Sequence, residues 1–171
     1  MKKLFLVAIL AVLTSSVYAQ LLTSTRVSRS ERAHNVWVDL GAGAYTGDYE
    51  NGGLGLNLGL RWNKMFNQYV GWDIIKVAAQ ADTKDFGSSI SAEALTGIRG
   101  ASPVLFGNST AYANFAGGYL YNFDSKEGAF VWEIGAGLNV TPRFSVGVAY
   151  DSWSKNSFTT GFVNLRLGVA L

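Results

Sequence analysis

The sequence predicts an all-β chain folded as an eight-stranded antiparallel up-and-down transmembrane β-barrel. Three observations predict it. Apolar side chains alternate with small or polar ones, period two, in a series of segments of about ten residues each, the length and pattern of barrel strands that cross a membrane. Charged residues make up only 15% of the 171 residues, against roughly 25% in an average soluble domain. Glycine is abundant, at 20 residues, yet proline is scarce and aromatics are plentiful, so neither collagen nor low-complexity disorder fits the composition.

The first residues are read apart from the rest. Met1, Lys2 and Lys3 form a positive start, residues 4–13 an apolar run, and Val17-Tyr18-Ala19 a small-x-small cleavage pattern. That run is too short to span a bilayer as a helix, which needs about 20 residues. Residues 1–19 are therefore expected to be a cleaved signal peptide, 20–34 a flexible periplasmic leader carrying Arg26, Arg29 and Arg32, and 35–171 the barrel. With no Cys in the chain there is no disulfide framework, no thiolate metal site and no lipoprotein anchor. The formal charge of +2 is supplied by Lys2 and Lys3, so the remaining chain is balanced and carries no nucleic-acid footprint.

The strands follow in order. The first places Val36, Val38, Leu40, Ala42 and Ala44 opposite Trp37, Asp39, Gly41, Gly43 and Tyr45. In the second, Leu54, Leu56, Leu58, Leu60 and Trp62 oppose Gly53, Gly55, Asn57, Gly59 and Arg61. The third opens with Val70, Trp72 and Ile74 opposite Gly71 and Asp73, then falls out of phase at Ile75 and Lys76, where a β-bulge is expected. The fourth sets Ile90, Ala92, Ala94, Thr96 and Ile98 against Ser91, Glu93, Leu95, Gly97 and Arg99; the fifth sets Ala111, Ala113, Phe115, Tyr119 and Tyr121 against Tyr112, Asn114, Ala116 and Gly118. In the sixth, Phe130, Trp132, Ile134, Ala136, Leu138 and Val140 oppose Val131, Glu133, Gly135, Gly137 and Asn139. The seventh pairs Phe144, Val146, Val148 and Tyr150 against Ser145, Gly147, Ala149 and Asp151, and the eighth Val163, Leu165, Leu167, Val169 and Leu171 against Phe162, Asn164, Arg166, Gly168 and Ala170.

Turn-rich segments separate these runs. Residues 47–52, 80–88, 122–128 and 154–157 belong to one end, and 63–68, 100–108 and 141–142 to the other, which the two termini share. Volume decides which face points outward: the interior of an eight-stranded barrel is just filled by side chains, and the rows of Leu, Phe and Trp would overfill it. The Gly, Ser, Asn and Ala row fits inside. A soluble lipocalin-like barrel would reverse the two faces.

The signal peptide, the eight amphipathic segments, the Asn139-Val140-Thr141-Pro142-Arg143-Phe144 turn and the apolar C-terminal strand together resemble the small outer-membrane β-barrels of the OmpA and OmpX type. The resemblance extends over 35–171 and is one of pattern. It implies a location in the outer membrane of a Gram-negative bacterium, with outer-membrane lipids as surroundings. It also implies insertion by the outer-membrane barrel-assembly machinery through the alternating strand at residues 164–171, which ends in Leu171 where the family commonly has an aromatic.

Candidate chemistry concentrates in the inward rows. Asp39, Asp73, Glu93, Glu133 and Asp151 share the expected lumen with Arg61, Arg99 and Arg166, where lone charges would be costly and cross-strand pairs are tolerable. Asp39, Arg61, Asp73 and Arg99 should lie near the terminal side, Arg166 somewhat above them, and Glu93, Glu133 and Asp151 toward the loops. This charged network is expected to close the lumen. A carboxylate pair formed by Glu93 and Glu133 is the one catalytic arrangement in view, and it lacks a substrate-sized cleft. The Gly-rich runs at 41–47 and 53–59 have the wrong spacing, and no helix follows to hold a phosphate. His34 is the single His and reads as an exposed polar residue rather than a metal ligand or catalytic base. Asn108-Ser109-Thr110 and Asn139-Val140-Thr141 match a glycosylation pattern of little weight in a bacterial-looking chain. The expectation is a non-enzymatic, monomeric barrel without catalytic residues, metal or cofactor, with a role in membrane integrity and contacts through its surface loops. The alternatives are a narrow pore for ions or small solutes and a soluble secreted ligand-binding barrel.

Overall fold

The computed structural model describes residues 35–47, 53–67, 69–82, 90–105, 109–155 and 158–171. The expected signal peptide, the leader with His34, and Asn108 lie outside the described residues. Eight strands follow one another: Asn35–Gly47 (β1), Leu54–Met65 (β2), Val70–Asp82 (β3), Ile90–Val104 (β4), Thr110–Asn122 (β5), Glu127–Thr141 (β6), Phe144–Lys155 (β7) and Phe158–Ala170 (β8). Each pairs antiparallel with the next, and β8 returns to β1 to close the barrel.

Side-chain alternation explains why the closure works. Following Cα partners from Trp37 through Arg61, Lys76, Leu95, Gly118, Val131, Trp153 and Thr160 leads back to β1 at Gly47, ten residues farther along the strand. An even offset keeps the inner row of β8 beside the inner row of β1; an odd one would join inside to outside.

The faces are inverted relative to a water-soluble barrel. Leu54, Ile98 and Phe130 are each about two-thirds exposed on the outer wall, while Asp151 on the inner wall is 0% exposed. Arg61, Arg99, Glu93 and Glu133 are buried as well. A surface of contiguous Leu, Val, Ile and Phe over charged, buried interior residues is stable in hydrocarbon and unstable in water.

The bulge in β3 lies one residue before the expected position. The ladder with β4 shifts between Asp73 and Lys76, and the ladder with β2 shifts at Trp62 and Asn63, so Ile74 stands outside both. The extra residue resets the alternation: Ile75 and Val77 are exposed, and Lys76, Ala78, Gln80 and Asp82 turn inward. β4 is longer than its alternation implied, because its ladder with β5 continues past an irregularity between Ala101 and Val104.

Short side chains organise the turns. Thr141 Oγ1 accepts from the backbone N–H groups of Arg143 and Phe144 at 3.2 and 3.0 Å, which leaves only Pro142 and Arg143 between β6 and β7. Asn67 Oδ1 accepts from Tyr69 and Val70 ahead of β3, and Asn122 Oδ1 accepts from Asp124 and Ser125 between β5 and β6. These are side-chain mimics of a backbone turn.

Candidate functional site: the charged lumen

The register carries three groups of charges into the bore. Toward the terminal end, Arg61 on β2 donates through Nη2 to Asp39 Oδ1 at 3.1 Å, with Nε 3.1 Å from Oδ2. Arg99 on β4 grips Asp73 on β3 through Nε at 3.0 Å and Nη2 at 3.4 Å. Each guanidinium also lies over an aromatic ring, Arg61 5.4 Å from the centroid of Trp37 and Arg99 4.4 Å from that of Tyr112. Stacking of this kind orients the planar fork as well as attracting it. Tyr112 fits because Gly137 and Gly147 face each other across β6 and β7; a Cβ on Gly137 would sit 2.8 Å from the Tyr112 hydroxyl.

The third group fills the middle of the bore. Lys76 Nζ lies 3.0 Å from Glu93 Oε1, contacts Glu133 Oε2, and is 4.0 Å from Asp151 Oδ1. Arg166 on β8 places Nη1 2.7 Å from Glu133 Oε2 and Nη2 3.1 Å from Asp151 Oδ2. Three amides complete the group: Gln80 donates to Glu93 at 3.2 Å, Asn114 to Glu133 at 2.8 Å and Asn164 to Asp151 at 3.0 Å. Glu133 and Asp151 are direct cross-strand partners. Two like charges so placed repel, so the shared Arg166 and the nearby Lys76 are what allow both to face inward.

Beside this cluster part of the interior is apolar. Leu95, Ala116, Leu120 and Val131 pack together, with Trp153 against them. Tyr45 stacks on Phe162 at 4.8 Å and meets Trp153 edge-on at 6.3 Å. Val131, Trp153 and Phe162 each lie nearer the loops than the charged or amide residue of their own strand, Glu133, Asp151 and Asn164.

All eight lumen charges named from the sequence face the bore, and the structure sorts them into two pairs, Asp39 with Arg61 and Asp73 with Arg99, and one shared cluster. Lys76, at the centre of that cluster, was absent from the sequence-derived set. The signal for it was the break in phase at Ile75 and Lys76: one extra residue returns every second residue from Lys76 onward to the inner face. The acceptor atoms of Glu93, Glu133 and Asp151 lie within 4.8 Å of one another, a spacing that suits a metal ion. Here the Lys76 ammonium stands among them, in the position a bound cation would take. Lys76 likewise holds both Glu93 and Glu133, the pair considered for acid-base chemistry.

No protein-family model and no curated protein matches the sequence. Solved structures do match. Neisserial surface protein A aligns with a TM-score of 0.64 and 11% identity, covering 80% of this chain and 96% of its own. PagL, described as an outer membrane enzyme, aligns with a TM-score of 0.63 and 18% identity, covering 78% of this chain and 98% of its own. The chain has the fold of the small eight-stranded outer-membrane barrels. At these identities the likeness concerns the barrel itself. One neighbour is a surface protein and the other an enzyme, so shared architecture does not select between the two.

Proposed function

We propose that this chain is a non-enzymatic integral protein of the outer membrane of a Gram-negative bacterium, with a lumen closed by its charged network and a role in membrane integrity and surface-loop contacts. The observation that carries the closed lumen is the contact between Lys76 on β3 and Glu133 on β6. Side chains that meet across the bore occupy the path a solute would need, and an eight-stranded interior has little volume beyond its own side chains. The apolar outer wall supports an intramembrane location and argues against the soluble ligand-binding alternative. Its partners in this reading are outer-membrane lipids and, through residues 164–171, the barrel-assembly machinery; residues 1–19 serve as a cleaved export signal.

Two measurements test the reading. The mature protein should sediment with outer membranes and change its gel mobility on boiling; recovery in a detergent-free soluble fraction would reject it. Proteoliposomes carrying the refolded barrel should equilibrate small ions and sugars only slowly. Rapid solute equilibration would favour the narrow-pore alternative.

A further inference from the structure

The central cluster does not balance. Glu93, Glu133 and Asp151 bring three carboxylates and Lys76 and Arg166 two cations, all buried. The three carboxylates share these two cations, which leaves one negative charge over. Glu133 receives Lys76, Arg166 and Asn114, and Asp151 receives Arg166 and Asn164. Glu93 has only its share of Lys76 and the Gln80 amide.

Beside Glu93, along the β2–β3 wall, two buried amides have oxygens without donors among the described residues. Gln80 gives its Nε2 to Glu93 and leaves Oε1 unpaired. Asn57 is the direct cross-strand neighbour of Gln80, and neither its Oδ1 nor its Nδ2 has a partner. Gly41 and Gly59, partner and strand neighbour of Asn57, bring no side chain into this corner. Leaving such buried groups without partners is costly.

We infer that this corner of the lumen binds one small monovalent cation, of the size of Na⁺, through the oxygens of Glu93, Gln80 and Asn57. A single positive charge neutralises the cluster, whereas a divalent ion would overshoot by one charge in a buried site. A hard cation also takes oxygen ligands of the types gathered here, carboxylate and amide carbonyl. A proton on Glu93 would cancel the charge but could be donated to only one of the two orphaned amide oxygens. A coordinated water gives Asn57 Nδ2 its acceptor.

The inference goes beyond the closed-lumen reading and is tested without measuring conduction, so one can fail while the other stands. Urea unfolding of the refolded barrel in detergent micelles is measured in NaCl and in choline chloride at equal ionic strength and neutral pH. Stability should rise with the logarithm of Na⁺ concentration, at a slope of one ion per molecule, and choline, too large for the corner, should not support it. Both Glu93→Gln and Asn57→Ala should abolish the increment; Asn57→Ala leaves every charge in place and serves if Glu93→Gln folds poorly. Equal stability in the two salts would overturn the inference, as would an increment that survives both substitutions. Stability that follows pH but not Na⁺, and loses that dependence in Glu93→Gln, would also overturn it by assigning the missing charge to a proton.

Discussion

Lys76 on β3 touches Glu133 on β6 across the bore, and it reaches the bore only because Ile74 stands outside both of its strand's ladders. A one-residue irregularity on the wall thus sets the chemistry of the interior. Without the bulge, the row from Lys76 to Asp82 would face lipid and the row from Ile75 to Ala81 would face the lumen.

Deletion of Ile74 should therefore be tolerated far better than deletion of Ala79 in the same strand. Removing Ile74, the extra residue, leaves Asp73, Ile75 and Lys76 in strict alternation and keeps Gly71, Asp73, Lys76 and Gln80 on the inner face, whereas removing Ala79 turns Gln80 and Asp82 outward relative to Lys76 and Ala78. Refolding into detergent, read by heat-dependent gel mobility, should persist for the first deletion and fail for the second. Equal refolding of the two deletions would mean that the inner row is not set by the parity of this strand.

Removal of Lys76 should be costly and partly repairable. Lys76→Ala leaves three carboxylates facing one arginine, with an expected loss of about 3–5 kcal/mol in urea unfolding. Adding Glu93→Gln to Lys76→Ala removes one uncompensated charge and should recover part of the loss. Strictly additive losses would count against a shared cluster.

The bulge also needs support on the lipid side. Thr96 Oγ1 donates to the Asp73 carbonyl at 3.2 Å and accepts from Trp72 Nε1 at 2.9 Å, giving the irregular backbone a partner on the outer wall. Thr96→Val keeps the shape, removes both bonds and should cost about 1–3 kcal/mol. Trp72 fluorescence should change in the folded state. An unaltered spectrum and unaltered stability would rule out this role for Thr96.

Lipid exposure is tested most simply on β2. Leu58 lies midway along the outward row, and Leu58→Arg should destabilise the barrel by about 2–4 kcal/mol, as a cation near the bilayer midplane does. Leu58→Phe should be tolerated. Equal tolerance of Arg and Phe at this position would reverse the assignment of inner and outer faces.

At the hairpin between β5 and β6, Lys126 adopts a left-handed backbone with φ of 56°. A side chain there costs about 1–2 kcal/mol relative to an unstrained conformation, and glycine avoids that cost while losing more chain entropy on folding. Lys126→Gly should therefore raise stability modestly, by about 0.5–1 kcal/mol, and leave the barrel register unchanged. A loss of stability would indicate that the Lys126 side chain contributes more than its backbone strain removes.

Much of this architecture is legible because a barrel wall has only two faces. Once the Leu54, Leu56, Leu58 and Leu60 row is placed in lipid, Asn57 and Arg61 have nowhere to go but the lumen, and the same parity fixes Glu133 and Asp151. Partner choice is harder to read. Asp39 meets Arg61 because their strands are adjacent, but Lys76 meets Glu133 across the bore, and nothing local to either strand encodes a distance across the barrel. Parity after an irregularity is harder still, since Ile74, Ile75 and Lys76 fit either phase until the register is known. Leu95 and Val131 fall in the inward rows by the same parity, but Leu120 lay outside the expected inner row of its strand, and the packing of the three together was not legible from any one strand.

Single-channel recording of the refolded barrel in planar bilayers, with and without Lys76→Ala, tests the closed lumen most directly. The unmodified protein should show small, intermittent currents, and Lys76→Ala, which frees the span between β3 and β6, should raise the open probability. A steady, large conductance in the unmodified protein, or currents indifferent to Lys76, would contradict closure by the charged network.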